Sequence, residues 1–472
     1  MDKAKLQNTA VKSRTPIVTV LGHVDHGKTT LLDKIRNTTV ASREAGGITQ
    51  GIGASTVKTK KGSDITFIDT PGHAAFSNMR SRGAAIADIA ILVVSATDGV
   101  MPQTKEALEF ILAAKTPFIV AATKMDLQSA DIELVKTGME KEGVLLEGKG
   151  GDVPVVPVSA RSGDGIDALL EMIHLVWDMN EIKANENAVL EAYVFESGKD
   201  KRGAYASIVV KNGKLSVGDE IITEDEELKV RGIFDENNKS VKEVMPGYPG
   251  QVIGFSKVPG AGTPVWKKSE KGSEVIKKEE REMVAKLVDD EIAVILKAQN
   301  DGALEAVVAN LPKKVVVVGK SVGEVNDSDV FLAKSMGADI YCFESRVPAL
   351  SRKLAEMESV KIYTFGIIYE LFEALEEKLK KGQVVEIGRA EIVAVFPFNN
   401  KKIAGSKVIS GKITKGDNLI LKRGDNEIGK VKAISLKKNK VDVGQVKQGE
   451  EFGVIFVPQL DFTMGDVIIS LQ

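Results

Sequence analysis

The amino-acid sequence predicts a multidomain chain that combines parallel α/β domains with small β-barrels. Three observations lead to this prediction. An apolar, β-branched run at 16–21 passes through a glycine-rich loop into a helical pattern, which is typical of a doubly wound parallel sheet. A glycine-punctuated series of short strands occurs twice, around 213–222 and 411–420. Between these two series, strand and helix patterns alternate four times from residue 292 onwards.

The loop after the first strand carries the pattern Gly22-x4-Gly27-Lys28-Thr29, which matches a P-loop. Glycines allow backbone N–H groups to curl around a phosphate, and the following helix adds the positive end of its dipole. An accidental glycine turn is the alternative, but the strand before it and the helix after it favour the P-loop. We expect Lys28 to reach the β- and γ-phosphates and the Thr29 hydroxyl to bind Mg²⁺. Six consecutive residues of the loop are expected to bind GTP: Asp25, His26, Gly27, Lys28, Thr29 and Thr30.

A second polar loop follows the predicted strand at 65–69. Asp69 ends this strand, where a carboxylate contacts Mg²⁺ through water, and Gly72 lets a backbone N–H approach the γ-phosphate. Asp-x-x-Gly alone is a common turn. Its place about forty residues after the P-loop, at a strand end, favours the nucleotide site.

The residues expected to select the base follow two later strands, at 118–122 and 155–158. The carboxylate of Asp126 accepts hydrogen bonds from the N1–H and N2–H₂ edge of guanine, a donor pair that adenine lacks. Together the motifs, in this order, predict a GTPase domain with its ligand at the carboxyl ends of the strands. The guanine site comprises Thr123, Lys124, Asp126, Ser159, Ala160 and Arg161.

The rest of the chain reads as two β-barrels that flank a small parallel α/β domain. Within that domain, Gly319-Lys-Ser imitates a phosphate loop, but Lys314 stands where its first glycine would be, so we predict no second nucleotide site. We expect a flexible tail at 1–13, a P-loop GTPase domain at 14–182, a β-barrel at 188–268, a helical linker at 269–291, an α/β/α domain at 292–366, a connecting helix at 367–384 and a C-terminal β-barrel at 385–472.

Composition limits the classes of function. The formal net charge of −2 gives no overall field for nucleic acid, so RNA contacts would need local basic patches. The single cysteine, Cys342, excludes an internal disulfide framework and fits a reducing compartment. No signal peptide or apolar run of membrane length is found, so we expect a soluble, cytoplasmic protein without membrane contact.

The motifs at 22–29, 44–50, 69–76 and 98–104 resemble those of translational GTPases, and more narrowly those of bacterial-type translation initiation factor two. The domain order and the stretch at 98–104 select this family within the superfamily. The resemblance runs from about Arg14 to the end of the chain, so we expect the long N-terminal extension of many bacterial members to be missing.

The resemblance implies a function: GTP-dependent placement of formylmethionyl initiator tRNA on the small ribosomal subunit, then subunit joining with GTP hydrolysis. It implies GTP or GDP and Mg²⁺ as ligands, both ribosomal subunits and other initiation factors as partners, and a monomer away from the ribosome. Residue roles follow. Thr49 would close over Mg²⁺, His73 would orient the attacking water, Val24 and Ile48 would form an apolar gate, and Asp25 would hold a monovalent cation.

The resemblance also implies an initiator pocket in the C-terminal barrel, at Ser406, Phe452 and Gly453. Ser406 and Phe452 stand where bacterial members usually have Cys, and Asn439 replaces an aromatic residue. Phe452 as ordinary barrel core is an equal alternative. Elsewhere, Gly51 replaces a usual His and Thr123 a usual Asn.

Two other functions remain open at this point. An elongation or rescue factor would share the GTPase motifs, although the α/β domain between two barrels argues against it. A GTP-gated binding scaffold without catalysis would also bind the nucleotide, but intact Asp69, Gly72 and His73 argue against that reading.

Overall fold

The computed structural model describes residues 12–38, 49–60, 62–268, 291–382, 386–398, 401–424 and 426–471. The chain folds into two compact units, residues 1–375 and 376–472. The linker expected at 269–291 lies outside the described residues apart from its last residue, and so does most of the tail expected at 1–13. The last two residues of that tail are not loose, because they pair with a strand at Lys183–Ala184.

A six-stranded sheet forms the centre of the N-terminal domain, in the order β3-β4-β2-β5-β6-β7. Only β3 runs antiparallel to its neighbour, and the other pairs are parallel. The central strands are buried along their whole length, as expected where helices cover both faces. The strands of this region are β1 (Lys12–Ser13), β2 (Ile17–Gly22), β3 (Gly53–Lys58), β4 (Asp64–Asp69), β5 (Ile89–Ser95), β6 (Phe118–Thr123), β7 (Val155–Pro157) and β8 (Lys183–Ala184).

Within the described residues of this domain, five α-helices pack on the sheet and create two separate apolar cores. Leu31, Leu169 and Ile173 belong to the core on one face, and Leu108 and Met139 to the core on the other. This is the doubly wound arrangement that the sequence predicts. The helices are α1 (Lys28–Arg36), α2 (Ser77–Ile86), α3 (Pro102–Ala114), α4 (Ile132–Lys141) and α5 (Ile166–Met179).

A small antiparallel barrel follows. The segment from β13 into β14 pairs first with β12 and then with β17, so the sheet closes around a core that includes Val194, Ile208 and Val252. Its strands are β9 (Glu191–Asp200), β10 (Gly203–Asn212), β11 (Leu215–Ser216), β12 (Glu220–Ile222), β13 (Glu227–Lys229), β14 (Gly232–Phe234), β15 (Ser240–Val241), β16 (Glu243–Val244), β17 (Pro249–Phe255) and β18 (Pro264–Lys267).

The second α/β domain has a four-stranded parallel sheet in the order β20-β19-β21-β22. The segment that imitates a phosphate loop is a continuous part of β20, so no phosphate loop forms there. Cys342 is fully buried in β21, as the sequence predicts. The elements are β19 (Ile292–Ala298), α6 (Asp301–Ala309), β20 (Val315–Val322), α7 (Asp327–Met336), β21 (Asp339–Phe343), α8 (Ala349–Met357) and β22 (Ile362–Phe365).

One apolar core joins the three domains of the first unit. It contains Phe76 and Met79 from the N-terminal domain, Phe195 from the barrel, and residues of the second α/β domain. Helix α9 (Ile368–Gly382) packs into this core through Ile368 and Leu371, and it continues beyond residue 375 into the second unit. None of the described helices, α9 included, combines the length and apolar character needed to cross a membrane.

The second unit is a closed antiparallel barrel. Its path β23-β30-β25-β26-β29-β24 is completed by pairing of β23 with β24. The multidomain α/β and β-barrel class predicted from the sequence is therefore confirmed. The strands are β23 (Glu386–Phe398), β24 (Lys401–Thr414), β25 (Asn418–Arg423), β26 (Asn426–Lys438), β27 (Val441–Asp442), β28 (Gln445–Lys447), β29 (Glu451–Val457) and β30 (Val467–Leu471).

The two barrels repeat the same turn in detail. Gly218 and Gly416 have φ of 94° and 97°. One residue later, Asp219 accepts a hydrogen bond from the Ser216 N–H at 2.9 Å, and Asp417 accepts one from the Thr414 N–H at 2.7 Å. This shared geometry supports the internal repeat seen in the sequence.

Candidate nucleotide site

The P-loop is built as its motif predicts. Strand β2 ends at Gly22 (φ 146°), where a Cβ atom would lie 2.4 Å from the Val93 carbonyl oxygen, and Gly27 (φ 87°) caps helix α1. The Lys28 ammonium donates to the His23 carbonyl at 2.6 Å. Burial lowers the pKa of Lys28 to about 8, and Asp69 opposes that shift. A phosphate in the loop would favour the charged ammonium, because it brings negative charge to a buried cation.

Not every P-loop residue has a side chain that is accessible to a bound nucleotide. His26 is 1% exposed and lies against the Val93 carbonyl, with its pKa lowered to about 4 by burial. The burial of its side chain leaves the backbone of His26 as the part that we expect to contact the nucleotide. Asp25 is exposed with φ of 60°, and Thr30 is exposed in the first turn of α1.

Two hydroxyl groups expected on Mg²⁺ meet at the start of α1. The Thr29 and Thr49 Oγ1 atoms lie 2.8 Å apart, although the residues come from different loops. Adjacent ligands of an octahedral Mg²⁺ at 2.0–2.1 Å are about 2.9 Å apart, so this pair fits the ion. Asp69 is buried at the end of β4, where it is expected to act through water. The described residues contain no group of three or more His, Cys, Asp or Glu that could hold a metal by itself.

The second loop brings Gly72 and His73 to the same edge of the sheet. A Cβ atom at Gly72 would lie 2.2 Å from the Lys28 Nζ atom, so a larger residue there would displace the Lys28 ammonium. His73 precedes a short 3₁₀ helix at Ala74–Phe76, and the buried Arg80 guanidinium donates to its carbonyl oxygen. Burial lowers the pKa of His73, and the nearby Arg80 lowers it further.

The residues that would select the base also come together. The Ser159 hydroxyl donates to Asp126 Oδ1 at 2.8 Å, which holds the carboxylate in place. The Thr123 hydroxyl donates to the His26 carbonyl at 2.7 Å and so joins this loop to the P-loop. Lys124 has φ of 62° and contacts Asp98 at 3.0 Å. Of the two residues that follow Ser159, Ala160 is half-buried and Arg161 is exposed.

Several supporting residues were not identified individually from the sequence. Gln103 accepts a hydrogen bond from the Val24 N–H at 2.9 Å, which ties the start of α3 to the P-loop. Hydrogen bonds from Ser95 and then Lys124 lower the pKa of Asp98 to about 2. Both Asp98 and Gln103 belong to the stretch at 98–104, whose resemblance to translational GTPases is the signal that could have identified them. Val24 is half-buried, and its expected gate partner Ile48 lies outside the described residues.

The residues of the expected initiator pocket lie on two paired strands of the second unit. Ser406 pairs with Phe452, and Gly405 with Gly453. Phe452 is 4% exposed and belongs to the barrel core. Its side chain therefore matches the alternative interpretation of the sequence, in which Phe452 is ordinary barrel core. Ser406 is 1% exposed, and its hydroxyl has no hydrogen-bond partner among the described residues. Asn439 lies in a turn with φ of 49°.

The fold and this site define a translational GTPase. The family profile described as "Elongation factor Tu GTP binding domain" matches residues 13–178. "Elongation factor G domain 2" matches 189–267, and "Translation-initiation factor 2" matches 267–376. The protein is thus an enzyme of translation that hydrolyses GTP.

Relatives over nearly the whole chain narrow the class. Translation initiation factor IF-2 of Thermoanaerobacter sp. is 40% identical over 98% of this chain and 72% of its own length. Translation initiation factor IF-2 of Thermotoga sp. is 42% identical over 96% of this chain and 70% of its own length. The chain therefore belongs to the translation initiation factor IF-2 family.

Among solved structures, GDP-bound aIF5B from Aeropyrum pernix is 29% identical over 97% of this chain and 92% of its own, with a TM-score of 0.46. That score is modest, and the family assignment follows from the sequence relatives.

Proposed function

We propose that this initiation-factor GTPase binds Mg²⁺ with GTP or GDP at the residues assembled around the P-loop. The observation that carries the proposal is the contact at 2.8 Å between the Thr29 and Thr49 hydroxyls, which come from two loops and fit adjacent ligand positions on Mg²⁺. Lys28 and the backbone from Asp25 to Thr30 hold the phosphates. Bound Mg²⁺ neutralises charge that develops on the phosphate oxygens.

His73 is the group we propose to position the attacking water. Phosphoryl transfer needs little covalent help from the protein, so orientation of the water is the main task left for a side chain. The loop that carries His73 also carries Gly72, next to Lys28. With its lowered pKa, His73 is neutral near pH 7 and offers one nitrogen that accepts a hydrogen bond from water.

Guanine selection is assigned to Asp126, whose carboxylate is fixed by the Ser159 hydroxyl. Lys124 lies over the base plane, and the backbone of Ser159, Ala160 and Arg161 meets the guanine O6. The Asp126→Asn variant should lose GTP affinity by about one to two decades and gain affinity for xanthosine triphosphate, because one charged hydrogen-bond pair is exchanged. Equal binding of ATP and GTP by the unaltered protein would contradict the assignment.

In the cell, we propose that the protein places formylmethionyl initiator tRNA on the small ribosomal subunit and promotes subunit joining, together with other initiation factors in the cytoplasm. A monovalent cation beside Asp25 and an initiator pocket near Ser406, Phe452 and Gly453 are parts of this proposal. Fourteen Lys and Arg against ten Asp and Glu in 385–472 support a modest attraction to acceptor-stem phosphates.

Protection of aminoacyl-tRNA from deacylation tests the initiator assignment. The GTP-bound chain, with all of its domains present, should protect formylmethionyl-tRNA more than methionyl-tRNA, because a free ammonium would lose its hydration in an apolar pocket. Gly453→Leu should remove the difference, since its Cβ atom would already lie 3.3 Å from Ile403 Cγ2. Gly444→Leu, whose Cβ meets nothing within 4 Å, is the control. Equal protection of both tRNAs by the unaltered protein would refute the pocket.

A further inference from the structure

The first turn of helix α9 contacts both loops that border the nucleotide site. The Tyr369 hydroxyl is hydrogen-bonded to Nδ1 of His73, and the two ring centroids are 4.4 Å apart. From the other loop, Gln50 donates to the Gly366 carbonyl at 2.7 Å and accepts from the Ile368 N–H at 3.3 Å. Gln50 is 4% exposed, so this clamp is screened from water.

The helix turn that makes these contacts is firmly anchored. Ile368, Leu371 and Leu375 have no exposed surface and lie in the core that joins the three domains of the first unit. Tyr369 is 36% exposed by contrast, so its ring adds little to that core. Tyr369 therefore contacts His73 from a helix turn that is itself held in place by packing. Removal of the Tyr369 hydroxyl should leave the packing of α9 unchanged.

His73 is held at two points. Arg80, which is fully buried and paired with Glu106 at 2.7 Å, fixes the His73 carbonyl, while Tyr369 binds one ring nitrogen and lies in tilted contact with the ring. A nitrogen bonded to Tyr369 is not free to bind a water, and a ring held by that bond, with the Tyr369 ring tilted against it at 55°, is not free to rotate. Both restraints come from outside the loop that carries His73, and the ring restraint comes from α9.

We propose that Tyr369 is a positioning residue that holds His73 in a resting orientation, so that helix α9 restrains GTP hydrolysis until this bond opens. The proposal rests on the water-positioning role proposed for His73. Loss of one neutral hydrogen bond corresponds to a change in population of about 2- to 10-fold.

The test uses the full chain with Tyr369→Phe, which removes only the hydroxyl, and Tyr363→Phe as the matched control. Tyr363 lies in β22 of the same domain, and its ring packs on Tyr341 rather than on the nucleotide loops. Turnover without ribosomes should rise about 2- to 10-fold in Tyr369→Phe and stay unchanged in Tyr363→Phe. Ribosome-stimulated turnover should change less, because the restraint is then already released.

Two further measurements separate a restraint on His73 from a general structural effect. The chain has four histidines, so the ring ¹⁵N signals of His73 can be assigned with His73→Ala and should move in Tyr369→Phe alone. In the His73→Ala background, Tyr369→Phe should have no further effect on turnover, since Tyr369 acts through His73.

Unchanged or reduced turnover without ribosomes in Tyr369→Phe would overturn the restraint, and so would an equal effect in the His73→Ala background. Either result would leave the proposed catalytic role of His73 intact, provided that ribosome-stimulated turnover is lost in His73→Ala. Stimulated turnover of His73→Ala at the unaltered level would instead overturn the proposed catalytic role itself.

Discussion

Thr123 shows how one hydroxyl links two loops of the nucleotide site. The residue stands where the family usually has Asn, yet its Oγ1 donates to the His26 carbonyl at 2.7 Å and is 2% exposed. The carbonyl that it contacts belongs to the P-loop. The hydroxyl therefore couples the position of the guanine-binding loop to the phosphate-binding loop without an amide.

Thr123→Val should weaken GTP binding while it preserves the shape of the side chain. The variant leaves the buried His26 carbonyl without its partner, a cost of about 1–3 kcal/mol, or about 5- to 150-fold in affinity. Thr123→Ser keeps the hydroxyl and should bind GTP nearly as well as the unaltered protein. A titration with a fluorescent GTP analogue checks both variants, and a Val variant with unaltered affinity would show that the link is unimportant.

Local residue patterns made much of the nucleotide site predictable, whereas contacts between distant residues were not. Gly22, Gly27 and Lys28 follow from backbone rules for a phosphate loop, and the hydroxyls of Thr29 and Thr49, both expected on Mg²⁺, lie 2.8 Å apart. The bond from Tyr369 to His73 joins residues 296 positions apart. No periodicity or motif in one sequence encodes such a contact, because it depends on how separate domains pack.

At the scale of elements, the repeated barrel turn shows where backbone geometry dictates sequence. Gly218 and Gly416 share a positive φ, and a Cβ atom at either would meet nothing within 4 Å. Glycine is therefore required by the backbone conformation alone and not by space. The Gly-Asp pair makes this turn recognisable in the sequence, because the Asp that follows the glycine accepts a backbone hydrogen bond inside the turn.

Gly416→Ala should loosen the second barrel, since a left-handed conformation costs a residue with a Cβ about 1–2 kcal/mol. We expect amide hydrogen exchange in β25 and β26 to accelerate about 5- to 30-fold in the full chain. Gly444→Ala is the matched control, because Gly444 accepts from the neighbouring Lys415 N–H without a positive φ. If both variants exchange alike, conformational strain is not the reason for glycine at 416.

At the scale of the whole molecule, Glu196 lies where the three domains of the first unit meet. It is 5% exposed in β9, accepts from the Gly302 N–H at 3.2 Å, and lies beside Met79 of α2. Burial raises its pKa from 4.5 to about 7, although the backbone donors of Ser197 and Gly302 oppose the shift. Between pH 4.5 and 7 the folded protein thus holds a proton that the unfolded chain has released.

Because the unfolded chain binds fewer protons in that window, rising pH should lower the free energy of unfolding, by about 3 kcal/mol once pH exceeds 7. Glu196→Gln should remove this loss of stability. The free energy of unfolding of this variant should equal that of the unaltered protein near pH 5 and exceed it at pH 8. Denaturant unfolding followed by Trp177 and Trp266 fluorescence measures it, with exposed Glu191→Gln as control. If the difference in free energy of unfolding between Glu196→Gln and the unaltered protein is the same at pH 5 and pH 8, Glu196 is not a buried, protonated carboxyl.

The domain boundaries and the roles of individual site residues remain predictions, whereas membership of the family fixes the class of enzyme. What connects the scales is the hydrogen bond between His73, in a loop beside the P-loop, and Tyr369 of helix α9. We propose Thr29 and Thr49 for the metal side of the nucleotide site and Asp126 for the base side, and His73 lies on the side that faces helix α9.

The most direct test of this account is GTP hydrolysis by His73→Ala in the presence of ribosomes, measured beside its GTP affinity. We expect affinity close to that of the unaltered protein, because binding depends on the P-loop and on Asp126. Ribosome-stimulated turnover should fall by about 10²- to 10⁴-fold, because the water is no longer oriented. Turnover within threefold of the unaltered protein, at equal affinity, would contradict the account.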